Sequence, residues 1–498
     1  MLNILTKRFS LIIFFSILSL FILKIYLNSF LLAENGDTYD FFRVAYEFKQ
    51  GNFLVESKRM PLFGSILSLV SEENFVIWGR IVNNLFYFLS IYLVFLLIRE
   101  IFKLDNKISL LYSLVFAFFY PILDNSFFIM ADTLFLLLTL VFLYLAIKNK
   151  GIYLITFISL LAFYTRFEGV LLFLSFAIFL ILQKRYKDLL KSVTVFIIFL
   201  VPFLVQNYLI YGSFIKLGYL SDTSGFILNF KNIIKALGTL LFLTGGFWFL
   251  PILISRLSLI SKINFKSLFV LIFFLFSALL ISWGFYIRLY SVPLLISFFA
   301  LIYLLENYQK PTKSFYLYTF LSLILYIFTV QYLDHIDLGE TKISKLVVIF
   351  SSITLAFIYM SFEKIKNSKM IFISFIIFLN LTLFVTKFIQ TREKYFTLAL
   401  ASEYSNTMFK NLVGYADESG VSKWYFKDFS QDKNFLQSNL DFDSWVKTQK
   451  LEYLIVTDEL GFQDSRLKPY LPTIKSKEKV KEFKSGFSGG RTVIYKIR

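Results

Sequence analysis

Long apolar runs recur from one end of the chain to the other, and no other feature limits its fold as strongly. A helix that crosses a bilayer needs about 20 predominantly apolar residues. About 13 segments approach or reach that length, and they cover residues 9–32, 76–98, 108–122, 127–147, 152–165, 167–183, 192–210, 238–256, 267–287, 290–306, 315–333, 344–361 and 370–389. Only 17% of the 498 residues are charged, whereas a soluble domain carries about 25%. We therefore predict a polytopic α-helical membrane protein with about 13 transmembrane helices, and not a soluble enzyme, a disordered chain or a coiled coil.

Basic residues are unevenly shared between the loops that join these runs. With the N-terminus inside, the inner loops carry roughly one Lys or Arg in three residues and the outer loops roughly one in nine, which is the positive-inside pattern. The first run follows Lys7 and Arg8, exceeds a signal-peptide core and lacks a small-residue cleavage site, so it is predicted to be a retained helix. An odd number of spans places the C-terminus outside. The prediction is a multi-pass plasma-membrane protein with a cytoplasmic N-terminus.

Two outer segments do not span the membrane, and they divide the chain. Residues 33–75 form a first outer loop within a transmembrane module that covers residues 1–389, and the apolar stretch Pro61–Val70 in this loop fits an interfacial helix. Residues 390–498 have the charge content of a soluble domain. Helix-like periodicity around 399–413 and 434–450 alternates with strand-like runs at Trp424–Phe426, Tyr453–Thr457 and Thr492–Ile497. We predict a small extracytoplasmic α/β domain there.

The composition excludes several kinds of chemistry. The chain has no cysteine and a single histidine, His335, which argues against disulfides, thiolate catalysis, His-rich metal sites and a Ser-His-Asp triad. Asp334, His335 and Asp337 are metal-type ligands, but their spacing matches no assignable site and a solvated loop is expected. No cofactor is predicted, and a divalent metal stays open without assigned ligands. The net charge of +18 fits lysines and arginines that anchor cytoplasmic loops, so no nucleic-acid partner is predicted.

The first outer loop contains the first candidate for chemistry. Asp37 follows the end of the first apolar run, where water, lipid headgroups and protein meet. A carboxylate there can act as a general base if a hydroxyl lies within hydrogen-bond distance. On the spacing alone, an exposed Asp that caps a helix starting near Tyr39 explains the position more simply. The residues of the loop leave both explanations open.

Short motifs along the whole chain occur in an order that resembles a known family. Gly36 and Asp37 are followed by aromatic residues and Ala45, then by Gly51 and by the run Arg59-Met60-Pro61-Leu62-Phe63. Further motifs in the same order are Met130–Phe135, Ala162–Gly169, Arg288–Leu294, Glu452–Val456 and Gly490–Tyr495. Together they resemble the GT-C glycosyltransferases, polytopic enzymes that use polyprenyl-phosphate sugars. The nearest subgroup is that of the protein O-mannosyltransferase and aminoarabinose-transferase-like proteins.

The resemblance implies a function. It implies an inverting glycosyltransferase that moves a hexose or pentose from an undecaprenyl- or dolichyl-phosphate donor to a hydroxyl of a lipid, glycan or protein on the extracytoplasmic face. Asp37 would take the proton of that hydroxyl. Asp40 is the candidate second carboxylate, because Thr38 stands where the catalytic type of the family carries Glu. The Trp-Trp-Asp-Tyr-Gly motif of oligosaccharyltransferases is absent, which argues against glycosylation of asparagine.

The departing phosphate of such a donor needs fixed cations, because preorganised charges stabilise developing charge better than water does. The candidates are basic residues at the outer membrane level, namely Lys58, Arg59, Arg80, Arg166 and Arg288. For Arg166 and Arg288 the alternative is snorkelling to lipid phosphates, and for Arg166 it is also an ion pair with Glu168. Lys24, inside the first run, is interpreted as a snorkelling lysine.

Three acidic residues near the outer turns are candidates for a cavity that adjoins the site. They are Asp124, Asp132 and Glu168. Ionisable groups at this depth usually face a bundle interior, although Asp124 also fits a simple turn with a helix cap. Two other classes of function remain open: a transporter or lipid-linked-sugar flippase, and a surface-polysaccharide ligase or polymerase. Membrane lipids are expected to surround the chain in every case.

Overall fold

The computed structural model describes most of the chain. The described residues are 36–54, 59–214, 291–306, 335–338, 341–344, 368–391, 395–409, 412–416, 421–427, 432–458, 466–486 and 490–498, with Ile22, Lys24, Tyr26, Glu34, Ile272, Leu275, Phe276 and Thr354. The predicted spans 238–256 and 315–333, and nearly all of 9–32, 267–287 and 344–361, lie outside these residues. The phosphate-binding candidates Lys58 and Arg288 lie outside them too.

Apolar helices joined by tight turns make up the first part of the chain. In chain order they are α1 (Gly36–Lys49), α2 (Pro61–Leu67), α3 (Phe75–Phe102), α4 (Asn106–Ala117), α5 (Tyr120–Phe127), α6 (Ala131–Ile147), α7 (Ile152–Thr165), α8 (Val170–Leu182), α9 (Tyr186–Tyr211), α10 (Ser291–Glu306) and α11 (Ser368–Thr391). Helix α3 packs along α4 and α6, and α6 packs along α7. Helix α6 is buried along almost its whole length and forms the centre of this bundle, whereas α9 turns most of its apolar surface outward.

Among the described residues, three helical segments are long and apolar enough to cross a membrane. They are Glu72–Phe102, Tyr186–Tyr211 and Met370–Phe388, and they coincide with the predicted spans 76–98, 192–210 and 370–389. Helices α6, α7, α8 and α10 are apolar but shorter. The count of about 13 spans therefore stays a prediction.

The predicted span 108–122 is wrong as a single helix. The chain breaks between α4 and α5 and bends by 63°. Pro121 stands in the first turn of α5, a position that proline favours because an N–H there has no helical acceptor and the fixed φ of proline is helical. The Tyr120 N–H freed by the break donates to Asn380 Oδ1 of α11 at 2.9 Å. A side chain from a distant helix thus satisfies the exposed backbone, as the bilayer interior requires.

Helix α2 differs from the predicted interfacial helix over Pro61–Val70. It ends at Leu67, and its residues Phe63 and Leu67 are buried by protein. Gly64 lies so close to α1 that a Cβ would come within 2.6 Å of Val44 Cγ1. The apolar face of α2 therefore packs on α1 and α7 rather than on lipid.

The C-terminal segment, defined here as Phe396–Arg498, is a mixed arrangement of helices and strands. Its helices are α12 (Phe396–Met408), α13 (Val421–Phe426), α14 (Phe442–Thr448) and α15 (Leu471–Lys475). A hairpin of β1 (His335–Leu338) and β2 (Thr341–Ser344) precedes it, and its own strands are β3 (Val413–Tyr415), β4 (Tyr453–Thr457), β5 (Glu478–Lys484) and β6 (Arg491–Lys496). These four strands form one sheet in the order β3-β4-β6-β5, in which only the β3–β4 pair is parallel.

The structure confirms some of the predicted strands and helices of this part of the chain and contradicts others. Strands β4 and β6 are confirmed, because both are buried apolar runs. The predicted strand Trp424–Phe426 is wrong, since these residues end helix α13. The backbone at His335 is also a strand and not the predicted loop. The predicted helix at 434–450 forms only as a 3₁₀ turn, Phe435–Gln437, and as α14.

Candidate functional site

Two candidate carboxylates and one candidate cation meet where α1 begins. Helix α1 starts at Gly36, so Asp37 lies in its first turn and Asp40 stands one turn later on the same side. The guanidinium of Arg59, just before α2, forms an ion pair through Nη2 with Asp37 and approaches Asp40, with 3.4 Å between its Nε and Asp40 Oδ2. The side chain of Arg59 is 8% exposed and that of Asp37 is 31% exposed. The carboxylates are therefore partly exposed, whereas the guanidinium is covered by protein.

This geometry bears on the capping explanation of Asp37. The helix begins before Asp37 and not near Tyr39, so the carboxylate lies within the first turn rather than ahead of it. A negative charge in a first turn is favoured by the helix dipole. It also remains open to an incoming hydroxyl, which is the geometric requirement for a general base.

Thr38 explains how Asp37 is held. Its side chain is fully buried, and Oγ1 donates to the carbonyl oxygen of Ile129 at 3.0 Å. Glu34 Oε2 accepts from the Ile129 N–H at 3.3 Å. Both backbone groups of Ile129, in the linker between α5 and α6, are thus bound by residues that flank Asp37. Thr38 therefore ties the first turn of α1, and Asp37 with it, to this linker.

Arg80 lies on α3, and Glu34 is its partner. Arg80 Nη2 and Nε both lie 2.7 Å from Glu34 Oε1. Burial raises the pKa of the Glu34 carboxyl, while Arg80 and the Ile129 N–H act in the opposite direction. Glu34 has no distinguishing sequence pattern beyond its place three residues before Asp37. The predicted phosphate-binding role of Arg80 stays a prediction.

Arg166 lies between two buried carboxylates. Its Nη1 is 2.6 Å from Asp132 Oδ1, in the first turn of α6, and its Nη2 is 2.6 Å from Glu168 Oε1. Nε of the same guanidinium donates to Glu168 Oε2 at 3.2 Å, so the pair with Glu168 is bidentate. The alternative of an Arg166–Glu168 ion pair is the arrangement found, and a phosphate-binding role for Arg166 stays a prediction.

Asp124 is buried on α5 and pairs with a lysine that the sequence did not reveal. Lys387 Nζ of α11 donates to Asp124 Oδ2 at 2.7 Å. Because Asp124 lies inside α5, it does not belong to a simple surface turn. The ion pair ties α5 to α11 and gives Asp124 a structural partner.

Lys24 does not snorkel. It is buried, and its Nζ donates to the Ser126 carbonyl oxygen at 2.8 Å and lies 4.1 Å from the centroid of the Tyr87 ring. The reason lies in α5, whose last carbonyls have no helical partner and accept from side chains instead.

Metal-type ligands do not gather in the described part of the chain. No group of three or more His, Cys, Asp or Glu side chains there could hold a metal ion. Between Asp37 and Asp40 the positive charge is supplied by Arg59.

Comparisons with known proteins identify the fold of the chain. No family model matches the sequence, and no curated protein matches it either. Solved structures do match. A crystal structure of ArnT from Cupriavidus metallidurans bound to undecaprenyl phosphate aligns with a TM-score of 0.56 and 11% identity, covering 96% of this chain and 97% of that one. The apo structure of the same protein aligns with a TM-score of 0.54 and 10% identity over the same shares.

The chain has the ArnT fold. ArnT is an aminoarabinose transferase of the GT-C class, so the resemblance drawn from the motifs is confirmed at the level of the fold. At 11% identity the similarity speaks for the fold alone. The assignment of residues on the ArnT-like fold rests on the contacts described above.

Proposed function

We propose that this protein is an inverting glycosyltransferase that moves a sugar from a polyprenyl-phosphate donor to an acceptor hydroxyl on the extracytoplasmic face of the membrane. The observation that carries the proposal is the cluster of Asp37, Asp40 and Arg59 at the start of α1. The ArnT fold supports it, because the ArnT crystal structure that aligns with this chain holds undecaprenyl phosphate.

In the proposed reaction Asp37 is the general base. It takes the proton of the acceptor hydroxyl as that oxygen forms a bond to the anomeric carbon of the sugar. The bond between the anomeric carbon and the phosphate oxygen breaks with its electron pair on phosphate, and polyprenyl phosphate leaves. Because the oxygen attacks opposite the leaving group, the configuration inverts. The partial exposure of Asp37 leaves room for the hydroxyl.

Arg59 is the proposed cation for the leaving group. A sugar linked through a phosphodiester carries one negative charge, and a second develops on phosphate as the bond breaks. A guanidinium suits this role because its planar N–H groups bind two oxygens at once and it stays charged. In the structure these groups contact Asp37 and Asp40. Donor phosphate therefore competes with the carboxylates for Arg59, and this couples donor binding to the base.

The other candidates keep secondary places in the proposal. Arg80 and Arg166 hold the carboxylates of Glu34, Asp132 and Glu168 at 2.6–2.7 Å. Their part is to shape the cavity and its charge, with Lys58 and Arg288 as further phosphate contacts. Asp124 anchors α5 through Lys387. The acceptor is a lipid, a glycan or a protein.

The test is sugar transfer in proteoliposomes from a radiolabelled polyprenyl-phosphate sugar. Asp37→Asn keeps the size of the side chain and removes the base, so transfer should fall at least about 100-fold. Donor binding, measured by competition with polyprenyl phosphate, should survive. Asp443→Asn is the matched control, because Asp443 also lies in a first helical turn but its position on α14 is exposed.

Two outcomes would overturn the proposal. Transfer at the wild-type rate by Asp37→Asn would remove Asp37 as the base. Uptake of a solute by wild-type proteoliposomes, with no sugar transfer, would instead favour a transporter.

A further inference from the structure

The C-terminal segment docks on the helix that carries Asp37. The contact is made by the short helix α13, and its centre is Trp424. The Trp424 ring lies 5.5 Å from Phe42, 6.2 Å from Phe75 and 6.5 Å from Tyr46, measured between ring centroids. Aromatic pairs at such distances contribute about 0.5–1.5 kcal/mol each beyond the area that they bury. The docking is therefore a specific aromatic interface.

A hydrogen bond lies beside these rings. The hydroxyls of Tyr39 and Tyr425 are hydrogen-bonded, and their ring centroids lie 6.1 Å apart. Tyr39 is buried and stands two residues after Asp37. Its hydroxyl also bonds the backbone of Glu34, the residue that holds Arg80. One buried hydroxyl thus joins the C-terminal segment to both sides of Asp37.

A charged contact closes the edge of the interface. Lys427 forms an ion pair with Glu72, in the turn before α3. Its Nζ also lies 3.1 Å from the centroid of the Trp424 ring and 5.1 Å from that of Tyr46. The cation therefore covers the aromatic contact from the solvent side.

The interface and the candidate site lie on opposite faces of α1. At about 100° per residue, Tyr39, Phe42 and Tyr46 form one stripe, and Asp37 and Asp40 form a second stripe roughly opposite. A shift of α13 against the first stripe consequently displaces the carboxylates on the second. Helix α1 has 14 residues, and a helix of that length is marginal without tertiary packing.

The rear of α13 is tied to the sheet. Ser402 Oγ of α12 donates to Ser422 Oγ of α13 at 3.0 Å. In the first turn of α12, the hydroxyl of Thr397 lies 2.7 Å from that of Thr492 of β6. Two short buried links therefore connect the sheet to α13 through α12, and the aromatic contact of Trp424 connects α13 to the helix of Asp37.

We propose that the C-terminal segment positions the catalytic helix, with Tyr425 as a positioning residue that acts on Asp37 through Tyr39. The inference rests on the proposed function of Asp37. The physical reason is that the reaction is sensitive to the position of the base: a displacement of about 1 Å in a reacting group can reduce the rate about 100-fold. A loosened hydrogen bond at Tyr39 displaces α1 by less than that, so a smaller effect is expected.

The experiment is a double-mutant cycle with Tyr39→Phe, Tyr425→Phe and the double variant in the full-length chain. Each change removes a hydroxyl and keeps the ring. We expect kcat for sugar transfer to fall about 10-fold in each single variant, with the Kd for polyprenyl phosphate unchanged. The double variant should lose no more than Tyr39→Phe alone, because Tyr425→Phe breaks a bond that Tyr39→Phe has already removed. Tyr470→Phe is the control, since Tyr470 stacks on Phe442 away from α1.

Amide hydrogen exchange over residues 36–49 supplies a readout that does not need activity. It should become faster in Tyr425→Phe and stay unchanged in Tyr470→Phe. If wild-type protein shows no sugar transfer, the proposed function fails. Amide hydrogen exchange alone then tests whether Tyr425 supports α1. Unchanged exchange, additive losses in the double variant, or an unchanged kcat in both single variants would overturn the positioning role.

Discussion

Arg59 is the residue on which the candidate site depends most. Its guanidinium binds Asp37 and Asp40, which stand one helical turn apart, so one side chain fixes the separation of both carboxylates. The ring of Phe41 lies 5.8 Å from the guanidinium carbon and covers one side of it. A lysine has the same charge but a single ammonium, which cannot reproduce a planar two-oxygen contact. Arg59 is therefore sensitive to a change that preserves charge.

We expect Arg59→Lys to reduce sugar transfer about 10- to 100-fold and to weaken binding of polyprenyl phosphate, while the protein stays folded. Transfer and donor competition are measured in the same proteoliposomes. Arg185→Lys is the matched control, because Arg185 pairs with Asp188 at 2.9 Å on the predicted inner side. Equal transfer by the Arg59 and Arg185 variants would argue that Arg59 has no special part.

At the scale of elements, the break between α4 and α5 leaves backbone groups of α5 without helical partners. Short helix α5 leaves its backbone to be satisfied by Lys24, Asn380 and other distant side chains. Lys387 holds Asp124 from α11 in the same way. The ends of α5 are thus bound by residues far away in sequence, which makes this region dependent on the whole bundle.

Removal of one partner of the Asp124–Lys387 pair should destabilise the bundle. Lys387→Met leaves a buried carboxylate without this counter-charge, and the expected loss is about 3–5 kcal/mol of unfolding free energy. Denaturant unfolding in detergent measures it. The double variant Asp124→Asn with Lys387→Met should recover most of the loss, because no charge is then left in the pair. A single variant as stable as wild type would show that the pair adds nothing.

The turn that carries Arg166 and Glu168 depends on a glycine. A Cβ at Gly169 would lie 2.2 Å from the backbone nitrogen of Phe163, so the backbone itself must move. We expect Gly169→Ala to cost about 1–3 kcal/mol and to lower the unfolding temperature. Gly151→Ala is the control, since a Cβ there meets nothing within 4 Å. Similar unfolding temperatures for both variants would contradict this close packing.

Particular residues show how far prediction from the sequence reached. Asp37 and Arg59 were predicted because they belong to short motifs in the first outer loop, and strands β4 and β6 because they are continuous apolar runs. Glu34, Lys387 and Tyr425 were missed, since each acquires its part from a partner far along the chain. The run Trp424–Phe426 in α13 was predicted as a strand because three aromatic residues favour strands, whereas in the structure Trp424 and Tyr425 pack on α1 and Phe426 stacks on Tyr415.

At the scale of the whole molecule, the distribution of charge predicts sidedness. The net charge of +18 is concentrated in loops that the positive-inside pattern assigns to the cytoplasm. The cluster at Asp37 and the C-terminal segment fall on the opposite side in this topology. Their contact through α13 fits the topology, because two segments that pack together must share one side of the membrane.

The absence of cysteine makes this sidedness directly measurable. A single cysteine introduced by Lys150→Cys, in a predicted inner loop, should resist a membrane-impermeant thiol reagent in intact cells. One introduced by Asp443→Cys, at an exposed position of α14, should react within minutes, and both should react after permeabilisation. The reverse pattern would invert the topology and move the proposed reaction to the cytoplasmic face.

The docking of α13 on α1 also bears on how the protein is made. Tyr39 is synthesised 386 residues before Tyr425. At about 5–20 residues per second, the ribosome needs roughly 20 to 80 seconds to pass from one to the other. During that interval the aromatic face of α1 lacks its cover, and the helix is held by the transmembrane bundle alone. Helix α1 therefore acquires this support late, only after the 386 residues that separate Tyr39 from Tyr425 have been made.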